Sequence, residues 1–118
     1  MQFQYKKDVD KQKRIEQCKI LLIKNPDKIP IVIEKDPNCK IVPMKKTKHL
    51  IKKDLSIIEF TDMIRKSLKL QEGEALFLLV NGKYSIGGEK PIADVYKNYK
   101  DKEDGFLYIV YSSLEFLG

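Results

Sequence analysis

The stretch Phe106-Leu107-Tyr108-Ile109-Val110-Tyr111 constrains this chain more than any other. Six aromatic and aliphatic residues follow the turn signal Asp104-Gly105 without a polar interruption. Neighbouring side chains of a strand point to opposite faces, so a run without alternation is apolar on both. Such a strand belongs in the middle of a sheet, and a separate layer must cover each face. The upstream segments must supply those layers.

With 118 residues the chain can build one core of useful size, and a core of this size needs neither disulfide nor metal. The expectation is one domain over 1–118, in three parts: a helical extension over 1–25, a core over 28–112 and a tail over 113–118. Met1 to Asp10 carries Phe3, Tyr5 and Val9 among charges and reads either as a short helix or as a flexible arm. In the arm reading, Phe3 and Tyr5 are free to touch a membrane. Asp10 to Asn25 reads as a helix, with Asp10 as N-cap and Ile15, Cys18 and Leu22 on one stripe. Ile20 to Ile23 are four apolar residues in a row and cover every side of a helix. Some must face away from the main core, against the N-terminal segment or into a groove. Asn25-Pro26 stops this helix.

Lys28 to Lys35 is β-branched and reads as a strand. Pro30 cannot donate to a ladder, so the strand is expected to be an edge there or to begin there. Asp36 to Thr47 reads as a loop with Ile41-Val42 as a candidate edge piece, and Lys48 to Lys52 as the second strand of a hairpin. Ser56-x-x-Glu59 is a capping box opening a helix with Ile57, Phe60, Ile64 and Leu68 on its inner stripe. Ala75 to Val80 is an apolar strand, Asn81-Gly82 a hairpin turn, and Pro91 the first position of a short helix. From Lys28 onward the order is that of a ubiquitin-like β-grasp, by analogy of element order. The fold class expected is therefore α+β: a four- to five-stranded mixed sheet with additional N-terminal helices.

Charge is uneven. Residues 1–60 carry net +7 and residues 61–118 net −1, for a total of +6. Only Arg14 and Arg65 are arginines, and arginine is the residue that grips bases and phosphates bidentately, so a nucleic-acid partner is not expected. Cys18 and Cys39 form no Cys-x-x-Cys pair, and the single histidine, His49, cannot complete a zinc set, so no metal or cofactor is expected. With no signal peptide and no apolar stretch of spanning length, free thiols in a reducing cytosol are expected. His49 lies in a lysine-rich strand that depresses its pKa. No nucleophile–base pair or phosphate loop is legible, so the chain is not read as an enzyme. The tail Leu114-Glu115-Phe116-Leu117 ends on Gly118, where an unhindered backbone carboxylate suits threading through a narrow site.

The chain resembles the GABARAP-type autophagy modifiers, ubiquitin-like proteins attached to phosphatidylethanolamine. The resemblance rests on Met1-x-Phe3-x-Tyr5-Lys6, on Pro26-Asp27-x-x-Pro30 with Glu34-Lys35, on Lys46-x-Lys48-x-Leu50, on Ile64-Arg65-Lys66, and on Asp104-Gly105-Phe106-Leu107-Tyr108. It implies conjugation of Gly118 to the lipid amine by E1-like and E2-like enzymes, with a processing and deconjugating cysteine protease as a further partner. It also implies recruitment of cargo receptors and adaptors carrying aromatic-x-x-aliphatic motifs, added as a strand beside Lys48 to Ile51. The implied aromatic pocket comprises Gln17, Leu21, Pro30, Lys48, Leu50 and Phe106. The implied aliphatic pocket comprises His49, Ile51, Leu55, Phe60, Met63 and Ile64. Lys24, Lys28 and Lys46 would meet acidic flanks of the motif. The implied location is cytoplasmic, and autophagosomal or a related organelle membrane once lipidated. The chain departs from the family pattern at Lys28, Met44, His49, Lys52 and Ser67, and by carrying Leu117 rather than an aromatic before the glycine. An unconjugated peptide-binding adaptor, or a modifier joined to a protein lysine, is the competing expectation.

Overall fold

A computed structural model describes residues 2–113 of the chain. Its elements are α1 (Gln4–Asp8), α2 (Lys11–Lys24), β1 (Lys28–Lys35), β2 (Lys48–Lys52), α3 (Ile57–Ser67), β3 (Phe77–Val80), β4 (Tyr84–Ile86), α4 (Ile92–Tyr99) and β5 (Leu107–Ser112). The strands form one mixed sheet in the order β2-β1-β5-β3-β4. β1 and β5 run parallel, and the other neighbours are antiparallel.

β5 is buried along its whole length, as its composition requires. Its alternation divides the interior in two. Leu107, Ile109 and Tyr111 join Ile29, Ile31 and Ile33 of β1 under α3 and α4. Phe106, Tyr108 and Val110 join Val32 on the opposite face, where Phe3, Tyr5 and Cys18 cover them. The N-terminal segment is therefore the second covering layer, not a free arm. Phe3 packs on Tyr108 at 4.9 Å between ring centroids, and Tyr5 meets Phe106 edge-on. Both rings are buried, which removes them as free membrane contacts.

Local signals act as their chemistry dictates. The Asp10 side chain accepts from the Lys13 N–H, and Ser56 and Glu59 form the reciprocal capping box. Asn81 and Gly82 both take positive φ in the β3–β4 turn. Pro91 stands at the N-cap of α4, one place before the expected first helical position. Ile41-Val42 forms no strand.

The expected edge at Pro30 is corrected: β1 lies between β2 and β5. The Ile33 N–H donates to the Thr47 carbonyl, so odd-numbered N–H groups of β1 face β2. The Pro30 nitrogen consequently faces the β5 side, where pairing begins only at Ile31 with Leu107. No ladder bond is lost, and an interior strand tolerates the proline.

α1 and α2 are tied to the sheet by a buried ion pair. Arg14 donates from Nε to Asp104 at 2.9 Å, and both residues are buried. Arg14 Nη1 also donates to the Val9 carbonyl at 2.6 Å. Asp104 further accepts from the Phe106 N–H and the Tyr108 hydroxyl, so its charge is fully engaged. Among the described residues, no helix is long and apolar enough to cross a membrane.

Candidate peptide-binding edge

β2 lies at one end of the sheet. Its register with β1 places Ile29 opposite Ile51 and Ile31 opposite His49. Because the odd β1 residues exchange hydrogen bonds with β2, the backbone groups of His49 and Ile51 face inward. Those of Lys48 and Leu50 face outward and have no partner among the described residues. This row is a template for one more strand.

The same alternation sorts the side chains. Val32 and Pro30 stand opposite Lys48 and Leu50, and Val32 belongs to the cluster under α1 and α2. Lys48 and Leu50 therefore share that face with Gln17 and Leu21 of α2. Lys48 Nζ donates to Gln17 Oε1 at 3.2 Å and sits over the Tyr5 ring, and the Tyr5 hydroxyl donates to the same Gln17 oxygen. Leu21 is half-buried against this cluster, while Pro30 and Phe106 lie beneath as buried floor. All six residues of the expected aromatic pocket thus come from α2, β1, β2 and the approach to β5, on one face.

His49 and Ile51 turn to the α3 face. Ile33, Met44, His49, Met63, Ile64 and Ser67 line a hollow of about 180 Å³ there. Three residues of the expected aliphatic pocket line it: His49, Met63 and Ile64. Ile51 and Phe60 are buried in the core beside it, and Leu55 packs against that core half-buried. Met63 remains 39% exposed and is the accessible apolar side chain of this wall. Ile33, Met44 and Ser67 join the hollow without having been assigned to it. Ile33 was legible from its alternation with Ile31. Met44 was not, because its position depends on Tyr111. The Met44 N–H donates to the Tyr111 hydroxyl, which in turn donates to the Val42 carbonyl, and this pins the loop over the sheet.

His49 is half-buried, and its Nε2 lies 2.9 Å from the Lys46 carbonyl, to which it donates. Its pKa lies below the ordinary value. Burial is the main cause, opposed by the carbonyl bond and reinforced by the Lys46 charge. The neutral imidazole thus forms an amphipathic wall. Lys24 and Lys46 are exposed, and Lys28 is half-buried at the start of β1. None of the three has a carboxylate within ion-pair distance among the described residues.

At the far end of β1, Asp36 accepts from the Ser112 hydroxyl at 3.0 Å, and Cys39 Sγ lies 3.5 Å from the Ser113 hydroxyl. This fixes the end of β5. Gly118 lies outside the described residues.

Residues 12–118 match the family described as "Autophagy protein Atg8 ubiquitin like". The chain is 41% identical over 96 residues to microtubule-associated protein 1 light chain 3 gamma of Homo sapiens, covering 80% of this chain and 65% of that protein. It therefore spans a little under two thirds of that relative's length. It is 38% identical over 108 residues to autophagy-related protein 8e of Arabidopsis thaliana, covering 92% of this chain and 87% of that one. Autophagy-related protein 8D of Oryza sativa subsp. japonica is 32% identical over 114 residues, covering 97% and 96%.

Proposed function

The chain belongs to the Atg8 family of ubiquitin-like autophagy proteins, and from that premise we propose that it is a conjugated adaptor. Its Gly118 carboxylate is joined to the amine of phosphatidylethanolamine, and its β2 edge recruits aromatic-x-x-aliphatic motifs to the membrane so marked. The protein is cytoplasmic before conjugation and held on autophagosomal or related membrane afterwards. The chain performs no bond chemistry itself. An E1-like enzyme activates the carboxylate, an E2-like enzyme transfers it, and a cysteine protease processes or releases it.

The observation that carries the binding reading is the outward backbone row of Lys48 and Leu50, with the Gln17–Leu21 face on one side and the hollow beside Met63 on the other. A motif strand laid on that edge directs alternate side chains to opposite faces. One meets the Gln17–Leu21 face, where Lys48 can lie over an aromatic ring. The other enters the hollow beside Met63. Lys24, Lys28 and Lys46 attract acidic flanks, each worth about 0–1 kcal/mol and acting mainly on encounter rate.

The test is reconstitution with the host's activating and transferring enzymes, ATP and phosphatidylethanolamine liposomes, read by intact mass. The expected result is a lipid adduct that Gly118→Ala abolishes. A protein-sized adduct would assign conjugation to a lysine instead. No adduct with active enzymes would leave an unconjugated adaptor. Binding of a motif peptide is measured separately, and unchanged affinity in Met63→Asp protein would overturn the docking edge.

A further inference from the structure

A second site lies away from the β2 edge, bordered by α1, the β3–β4 turn and the end of α4. There the surface folds into a cavity of about 570 Å³, roughly three times the hollow beside Met63. No residue that lines it belongs to the peptide edge. Five lysines line it: Lys6, Lys7, Lys83, Lys100 and Lys102. They come from three separate segments, so the fold, and not a local basic run, gathers them.

One carboxylate, Asp101, faces the same cavity, and it is already committed. Asp101 pairs with Lys6 and accepts the backbone N–H groups of Glu103 and Asp104. Burial alone would raise its pKa, but these donors outweigh burial and hold it below the ordinary carboxylate range. Lys6 and Asp101 therefore cancel. Lys100 lies over the Tyr96 ring, without a carboxylate. Lys7, Lys83 and Lys102 are exposed and have no acidic partner within ion-pair distance among the described residues.

Four uncompensated ammonium groups around one concavity repel each other and concentrate a positive potential there. An anion relieves that repulsion. Asn81 and Asn98 add amide donors to the lining, and the edges of Phe3 and Tyr99 add apolar wall. The volume suits a compact ring with its hydration and is too small for a folded partner. Lysines act as point charges and favour phosphate without demanding a planar fork.

We infer that this cavity is a binding site for a small ring bearing several phosphate groups, either free or as a lipid headgroup. The full chain is titrated with inositol hexakisphosphate at physiological salt, by calorimetry and by amide chemical shifts. Binding is expected to shift residues around Lys7, Lys83 and Lys102 and to weaken steeply with added salt. Lys7→Gln/Lys83→Gln/Lys102→Gln should raise the Kd at least about tenfold, with the thermal midpoint not lowered. Lys19→Gln/Lys40→Gln/Lys45→Gln removes the same net charge at exposed lysines outside both sites and should change the Kd by less than about threefold.

Equal losses in the two triple variants would reduce the effect to net charge and overturn the site. So would absence of binding, or equal competition by a pentaglutamate peptide. Phosphatidylcholine vesicles with and without a phosphoinositide bisphosphate then identify the source. Phosphoinositide-dependent vesicle binding lost in the cavity triple assigns a headgroup. Binding of the soluble probe alone assigns a free metabolite. Either supports the site, and neither depends on the β2 edge or on Gly118.

Discussion

Replacing Arg14 with methionine tests the bond between the N-terminal helices and the sheet. Arg14 is 5% exposed and Asp104 is 4% exposed, with Nε to Oδ2 at 2.9 Å. Methionine keeps most of the buried side-chain volume and removes only the charge and its donors. Asp104 is then a buried carboxylate supported only by the Phe106 N–H and the Tyr108 hydroxyl. Removing one partner of a buried pair costs about 3–5 kcal/mol. The Val9 carbonyl also loses its donor, so the upper part of that range is expected. At about 4 °C per kcal/mol for a chain of this size, the melting temperature should fall by roughly 16–20 °C. Urea unfolding of Arg14→Met measures the loss directly. The same substitution in an Asp104→Asn background identifies its cause, because the neutral amide leaves no buried charge to strand. There Arg14→Met should cost no more than about 1–2 kcal/mol. Equal costs in the two backgrounds would refute the charge argument and attribute the loss to packing of α2.

Gly105→Ala should destabilise by at least about 2 kcal/mol in urea unfolding. Its φ is +86°, and an added Cβ would stand 2.9 Å from Cys18 Sγ, itself buried. His49, the only histidine, should titrate below 6.5 by NMR. The unfolded chain then takes up the proton first, so this contribution to stability is full above 6.5 and falls as pH drops through the folded value. A folded pKa at or above 6.5 would contradict the burial argument. The Cys18 thiol is pushed up to about 11, chiefly by burial and then by Asp104. At mildly alkaline pH it should resist alkylation in the native protein and react promptly in urea, as followed by mass spectrometry. Ser56→Ala should cost about 1 kcal/mol, measured by thermal unfolding, because it removes the hydroxyl that accepts the Glu59 N–H while the backbone N–H at position 56 still donates to the Glu59 carboxylate.

What the sequence carried was mostly local. The two-faced run of β5, the Ser56–Glu59 box and the Asn81-Gly82 turn each state their structure within a few residues. Pro30 shows where such reading stops. The missing donor was evident, but which side the nitrogen faces depends on the register with β2 and β5. The Arg14–Asp104 pair spans 90 residues and has no signature in spacing. Of the candidate edge, the strand and its alternating side chains were legible. Met44 and Ser67 were not, because the loop and the end of α3 reach the hollow only through the tertiary fold.

The lysines teach the same lesson with the opposite sign. Along the chain the most concentrated basic group runs from Lys45 to Lys53, through β2, and the others look scattered. In three dimensions, scattered Lys7, Lys83 and Lys102 share one concavity. The short helix α1 connects both regions. Tyr5 reaches Gln17 and Lys48 on the β2 side, while Phe3 and Lys6 help to line the cavity. Burial of Phe3 and Tyr5 on the second face of β5 therefore does more than complete a layer. It sets Tyr5 beside Gln17 and Lys48 and Phe3 in the lining of the cavity.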